Sequence, residues 1–304
     1  MQNTKRAATS RHSFKEFRLF AAGVRADIEQ ALAQYLPLSP VNINERFNQA
    51  VRYALFPGGK RVRPMLTLLG SQIIGPTDQN LLAAAAAVEY IHTSSIILDD
   101  LPCMDNARER RERACLHKQY GEGLAILVAL ALLNASYELV IDSCSTDTDK
   151  ALRAHRELVK CVGTQGMVTG QAVDIDTRKN TFLTSAEELD SVRNLKTSSL
   201  IRFAINLGAI LSDASHEQLA VLSRFAELLG SAYQVKDDLL DVDEDLVSAN
   251  GSRHARLKRS QSEVAERIEQ LTEDAKGSIV AEFGSTHPTL LLCQVADFIA
   301  IRDR

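Results

Sequence analysis

Between Leu81 and Leu98 the chain reads LLAAAAAVEYIHTSSIIL, apolar or small on every face of a helix drawn through it. A helix with no polar side belongs among other helices, because solvent would meet apolar surface whichever way it turned. This one segment therefore requires a fold in which several helices surround it. The rest of the chain supplies them. Phe17, Leu19, Phe20, Val24, Ile28, Leu32 and Leu36 recur at helical spacing, and Phe47, Val51, Ala54 and Leu55 repeat the pattern over 44–55. Pro57-Gly58-Gly59 breaks the chain, and Arg63-Pro64 opens the next helix with proline near its first turn. The stretches 124–141, 167–173 and 221–240 are again apolar over most of their circumference.

Composition agrees with long helices and short connections. The 304 residues hold only 15 glycines and 7 prolines, roughly half the usual combined share of about 12%. No period-2 strand and no internal repeat is visible. The expected fold class is all-α, a single large helical bundle formed as one domain over 1–304. A flexible, solvated tail is expected over 1–13, and a polar, charged loop over 241–262 that leads into an amphipathic C-terminal helix.

Several classes are excluded. No uninterrupted apolar run approaches the ~18 residues of a membrane span, so no transmembrane segment is expected. The cysteines Cys103, Cys115, Cys144, Cys161 and Cys293 form no CxxC pair, which argues against a zinc site or disulfide framework and for a reducing, cytoplasmic location. A net charge of -4 with no tryptophan and 5% aromatics lacks the basic field and stacking platforms of a nucleic-acid binder.

The apolar helix at 81–98 runs straight into Asp99-Asp100-Leu101-Pro102-Cys103-Met104-Asp105. Carboxylates at the end of a buried helix need a cation. Arg108, Arg110, Arg111 and Arg113 are one candidate, as a structural salt-bridge cluster. A second apolar stretch, 221–235, also ends in acid: Asp237, Asp238 and Asp241. Asp237 and Asp241 stand one above the other on a helix face, where like charges repel. Two such clusters imply facing carboxylate walls holding a hard divalent cation, which prefers oxygen ligands and accepts substrate phosphates. The implied ligand is a diphosphate. Gly58-Gly59-Lys60-Arg61-Val62-Arg63 places flexible backbone beside cations that can grip phosphate, although it is no P-loop. Lys196-Thr197 and Arg110-Arg111 are further candidates. Asp241, Asp243 and Asp245 imitate an EF-hand start but lack its glycine and final glutamate. Glu89-Tyr90-Ile91-His92 is half of a di-iron carboxylate motif and stays open as an alternative.

These pieces together resemble the trans-isoprenyl diphosphate synthases. The resemblance rests on GGKRVRP, EYIHTSSIILDDLPCMD, the following RR and HKQYGE, TQGMVTGQ, LKTSSLI and YQVKDDLLD; it runs from about Phe47 to Val242 and resumes in FIAIRDR at 298–304. Within the family the form DDLPCMD is similar to bacterial geranylgeranyl diphosphate synthases of carotenoid pathways. The resemblance implies helices around a central cavity, of the isoprenoid synthase type. It implies that Asp99, Asp100 and Asp105 face Asp237, Asp238 and Asp241 and hold three Mg²⁺ on an allylic diphosphate. Arg110, Lys196, Thr197 and Gln234 match positions that grip the same diphosphate. Gly59, Lys60, Arg63, His92 and Arg111 match the site for isopentenyl diphosphate, and Gln171 with Asp174 the element supporting the metal and the lysine. Asp99, Asp100, Asp237 and Lys196 would then carry catalysis, and a homodimer is implied.

Ser94 and Ser95, about one turn before Asp99, stand where a growing prenyl chain meets its floor. Farnesyl-making relatives carry an aromatic at the position of Ser94, so small residues there imply the twenty-carbon geranylgeranyl product. The chain departs from the family after Asp241, where VDEDLVSANGSRHARLKRS replaces the usual stretch, so that the family's lid lysine is either missing or replaced by Lys258. A farnesyl diphosphate synthase, or a weakly active or non-catalytic partner subunit of the same fold, are the alternatives this leaves.

Overall fold

The computed structural model describes residues 14–40, 44–56, 58–75, 80–145, 147–178, 186–248 and 252–301, with side chains undescribed within the helices over 177–194 and 237–262. The tail expected over 1–13 and the end of FIAIRDR at 302–304 lie outside the described residues.

Helices follow one another with short connections: α1 (Lys15–Gln34), α2 (Glu45–Leu55), α3 (Val62–Gln72), α4 (Leu81–Asp99), α5 (Leu116–Tyr120), α6 (Glu122–Asp142), α7 (Thr148–Val162), α8 (Met167–Arg178), α9 (Ala186–Leu211), α10 (His216–Ser248), α11 (Ser252–Phe283) and α12 (His287–Ile301). Local chemistry sets several starts. The Asn44 side chain accepts from the Phe47 amide at 3.1 Å and Asp147 from that of Lys150 at 2.9 Å, each satisfying a donor the helix cannot use internally. The helix with no polar side sits at the centre, as its sequence requires. From Leu81 to Ile91 almost every side chain of α4 is buried, and α4 packs against α3, α6 and α9. Tyr90 reaches across to donate to the Leu32 carbonyl of α1 at 2.8 Å, because a buried phenol needs a partner. The other central helix, α9, lies against α3 so closely that a methyl on Gly70 would overlap the Ile205 carbonyl, and one on Gly208 the Thr67 carbonyl.

Three expectations are corrected. Over its described residues the polar stretch 241–262 is helix and not loop: the backbone continues α10 to Ser248 and resumes as α11 at Ser252, with 249–251 outside the described residues. Good helix formers recur in both pieces, Glu244 and Leu246 in the first and Arg253, Ala255, Arg256, Leu257, Lys258, Arg259 and Gln261 in the second, so a polar composition is no bar to helix there. A strand pair is present where none is predicted: β1 (Glu109–Arg110) and β2 (Arg113–Ala114) pair antiparallel, too short for alternation to show. Finally, α4 and α6 are each long and apolar enough to cross a bilayer by length and composition, because one polar residue stops a run without making a helix polar. In α4, 72% of the most apolar window is buried inside the protein; in α6 only 44% is, leaving Ile126, Leu127, Leu130 and Ile141 exposed.

Candidate active site

The end of α4 is where the buried core meets charge. Asp99, its last residue, faces Lys196 of α9, with Nζ–Oδ2 at 3.1 Å, and the same ammonium lies 3.8 Å from Asp174 of α8. Burial raises the Asp99 pKa, Lys196 opposes that rise, and the neighbouring Asp105 adds to it. Asp100 turns the other way. Its carboxylate is buried and takes both oxygens' worth of the Arg110 guanidinium, at 2.6–3.2 Å. The acids at 99–105 are therefore not one flat wall, and Asp100 and Arg110, expected to meet metal and diphosphate, meet each other. This is the salt-bridge alternative realised for one of the acids.

Arg110 is positioned by the strand pair. Its two-residue turn, Arg111-Glu112, has φ of 53° and 63°, the left-handed values that tight hairpins use. The hairpin is docked on the end of α2: the Arg113 guanidinium lies 3.9 Å above the Tyr53 ring and donates to the Phe56 carbonyl at 2.7 Å, while Tyr53 donates to the Ala114 carbonyl at 2.9 Å. The hairpin thereby brings Arg111 over Gly59, so close that a methyl on Gly59 would overlap its guanidinium.

The basic loop before α3 forms a cradle beside the hairpin. Arg63 donates to His92 of α4, Nη1 to Nε2 at 3.2 Å. A guanidinium only donates, so Nε2 accepts and the ring proton is on Nδ1. Burial, then Arg63, Arg111, Arg110 and Arg61, hold the His92 pKa well below its ordinary value. The ring is neutral. Lys60 stands apart from this group, exposed, its ammonium 5.2 Å from the Phe298 ring centroid of α12.

Below Asp99 opens a cavity of about 350 Å³, lined at one end by Asp99, Lys196, Gln171 and Met104 and elsewhere by Ile91, Ser94, Ser95, Leu98, Leu133, Val162, Met167, Val168, Ala172 and Ile175. Ile91 precedes Asp99 by eight residues, so the cavity runs about 12 Å along α4. Ser94 and Ser95 line it, but their hydroxyls are turned to the Ala129 and His92 carbonyls, at 2.9 Å each. To an apolar occupant they present little polarity. Leu133, Val162 and Met167 complete its apolar lining, and nothing in the sequence alone singles them out.

Thr197 adjoins Lys196 on α9, and Gln234 is half-buried on α10. The side chains of Asp237, Asp238 and Asp241, like that of Lys258, lie outside the described residues, although α10 carries the first three on one continuous helix. Among the described residues no three His, Cys, Asp or Glu side chains converge as a metal site. The donors present nonetheless suit a hard divalent cation: Asp99 crowded by Asp105, and the buried Gln171 Oε1, which has no hydrogen-bond partner. The di-iron alternative is removed, since Glu89 is committed to Arg61 at 2.7 Å.

A helical bundle in which an apolar cavity opens beneath acids and beside a cluster of guanidinium groups defines a class of protein that handles a molecule with an anionic head and an apolar tail. The chain belongs to the polyprenyl synthetase family, whose model matches residues 44–251. It is 39% identical over 231 residues to geranylgeranyl pyrophosphate synthase 9, chloroplastic, of Arabidopsis thaliana, covering 75% of this chain and 63% of that one. It is also 39% identical over 228 residues to the heterodimeric geranylgeranyl pyrophosphate synthase large subunit 2 of the same plant, covering 74% and 59%. The chain thus spans about three fifths of the length of these relatives. Among solved structures, the apo structure of a FPP/GFPP synthase from Zymomonas mobilis superposes with a TM-score of 0.82 at 28% identity, covering 93% of this chain and 98% of that one.

Proposed function

We propose that the protein is a Mg²⁺-dependent prenyltransferase that joins isopentenyl diphosphate to an allylic diphosphate and releases diphosphate, with geranylgeranyl diphosphate as main product. The observation that carries this is the cavity: about 350 Å³ of apolar space whose one charged end is Asp99 and Lys196, next to the arginine cradle.

The residues divide the work. Lys60, Arg63, neutral His92 and Arg111 hold the diphosphate of the acceptor. Lys196 and Arg110, with Thr197 and Gln234, bind that of the allylic substrate, so charge developing on the leaving group is met by fixed donors. The apolar walls keep water from the allylic cation until the acceptor double bond, held alongside, attacks it, and the new cation then gives up a proton to the released diphosphate to leave the product double bond. Asp99, Asp105 and Gln171, with Asp237, Asp238 and Asp241 by their place on α10, would hold Mg²⁺, as would Asp100 once parted from Arg110. The metal supplies neutralisation of diphosphate charge.

The small side chains of Ser94 and Ser95 leave the cavity open to Leu133 and Met167, which favours the longer product over farnesyl diphosphate. The exposed apolar side chains of α6, Ile126, Leu127 and Leu130, support a homodimer through that face, and five free thiols fit a reducing cytoplasm. The heterodimeric relative supports a second reading, a partner subunit with little turnover of its own. Incubation with Mg²⁺, isopentenyl diphosphate and labelled dimethylallyl, geranyl or farnesyl diphosphate separates the two. Absence of any Mg²⁺-dependent product overturns the enzyme reading.

A further inference from the structure

One arginine of the basic loop takes no part in the cradle it belongs to. Arg61 is buried, with its side chain 1% exposed. Nε and Nη2 donate to the two oxygens of Glu29 in α1 at 3.0 and 3.1 Å, Nη1 to Glu89 in α4 at 2.7 Å, and Nη2 also to the Leu55 carbonyl ending α2 at 2.8 Å. Its donors are spent inside the protein, so it cannot reach a ligand. Its two carboxylate partners carry one charge more than it does, and Glu89 also attracts Arg111. Its backbone sits at φ 55°, a region disfavoured for any residue with a Cβ. This places Lys60 at the surface while Arg63, two residues later, turns inward to His92. The guanidinium passes beneath Gly58, where a methyl would overlap it, and Arg25, itself 3.6 Å from Glu29, donates to the Gly59 carbonyl at 3.2 Å.

We propose that Arg61 is the positioning residue of the cradle: clamped by Glu29 and Glu89, it fixes the left-handed turn that sets Arg63 against His92 and Gly59 beneath Arg111, the geometry that receives a diphosphate. This rests on the reading of the cradle as a diphosphate site. The clamp joins α1, α2 and α4 to the loop through a single side chain, so the cradle is held before any ligand arrives and less ordering is lost on binding.

The test uses the full chain and two variants, Arg61→Lys, which keeps the charge and loses the fork, and Gly58→Ala, which removes no charge and presses a methyl against the guanidinium. Inorganic diphosphate is titrated calorimetrically in EDTA, and steady-state kinetics are run with each substrate varied. Both variants are expected to bind inorganic diphosphate about tenfold more weakly, the worth of one misaligned charge-assisted contact. The KM for isopentenyl diphosphate should rise by a similar factor, with kcat and the allylic KM within about twofold of the unmodified chain. Should Arg61→Lys not fold by circular dichroism, Gly58→Ala carries the same expectation alone. Unchanged diphosphate affinity, or an equal rise in both KM values, overturns the positioning role. No binding by the unmodified chain overturns the diphosphate reading as well.

Discussion

The basic cradle and the acidic mouth stand side by side, and they are balanced in opposite ways. Beneath the cradle the cation itself is buried: Arg61, 1% exposed, is held by buried Glu89 and by Glu29, which is 28% exposed, and it needs no ligand. At the mouth the matches are exchangeable. Arg110, 43% exposed, covers Asp100, and Lys196, 29% exposed, covers Asp99. The first kind of pairing builds a shape, and the second keeps acids solvent-compatible until a stronger partner competes for them. A carboxylate's role is therefore told by how its cation is held more than by its own burial, since Asp100 is nearly as buried as Glu89.

If that contrast is right, removing acids from the two regions has different consequences. Glu89→Ala should cost about 3–5 kcal/mol of stability, the usual penalty for leaving half of a buried ion pair, toward the low end because Glu29 still holds the fork. Urea denaturation measures it. Asp100→Asn, which breaks a half-exposed pair, should cost under about 1 kcal/mol in the same experiment. Equal losses would end the distinction. The complement is catalytic: Asp99→Asn should lower the rate of Mg²⁺-dependent product formation about 10²–10³-fold, the scale for one group that stabilises developing charge, with little change in the urea midpoint. A rate within about tenfold of the unmodified chain would remove Asp99 from that role.

Much of this was readable from residues alone, and the reason is locality. The burial of α4 follows from a sequence with no polar side, and the site acids announce themselves by following it directly. The Arg61 clamp was not read, because its partners lie 32 and 28 residues away on two other helices. A signal existed even so. Glu89 is the one acid within LLAAAAAVEYIHTSSIIL, and an acid in the most apolar helix demands a buried cation. The iron-ligand alternative answered the right question with the wrong cation. The strand pair escaped because two residues per strand carry no period, and the helicity of 241–248 and 252–262 because polarity was taken for irregularity. Leu133, Val162 and Met167 line the cavity from three separate helices, a convergence that one-dimensional spacing cannot express.

Ser94→Tyr tests the cavity's depth directly. A phenol at that level fills the space above Ile91 and Leu133, so products should shift to fifteen carbons, as read by chromatography of the dephosphorylated prenols. Unchanged chain length would defeat the floor assignment. Over-packing should make this variant about 1–3 kcal/mol less stable, so products are compared at a temperature where circular dichroism shows it folded.

A subtler effect comes from His92, which ties the cradle to pH. Its pKa is lowered in the folded protein, so below the ordinary value of 6.5 the unfolded chain binds a proton that the folded chain refuses. That contribution to stability is complete above about 6.5 and is lost as pH falls toward the depressed folded value. His92→Gln, which keeps a side-chain acceptor for Arg63, should flatten the stability profile between pH 6.5 and 5 relative to the unmodified chain. Parallel profiles would show that the ring's protonation is not what couples pH to the fold.

The smallest effect belongs to the hairpin that joins cradle to mouth. Glu112 adopts φ 63° and Arg111 φ 53°, where a Cβ costs roughly 1–2 kcal/mol per residue and where two-residue turns favour glycine at the second position. Glu112 is exposed, so replacing it disturbs no buried pair. Glu112→Gly should relieve strain in the folded state while giving back part of the gain as unfolded-chain entropy. The expected net is a stabilisation of up to about 1 kcal/mol, measurable as a small rise in urea midpoint at constant slope. The same change loosens the turn that holds Arg111 over Gly59 and Arg110 on Asp100, so inorganic diphosphate should bind slightly more weakly to a slightly more stable protein. Opposite signs in the two measurements are what a strained turn kept for ligand geometry requires. Movement of both in the same direction would mean that the docking of Arg113 on Tyr53 holds the hairpin by itself and that the turn residues contribute nothing to the site.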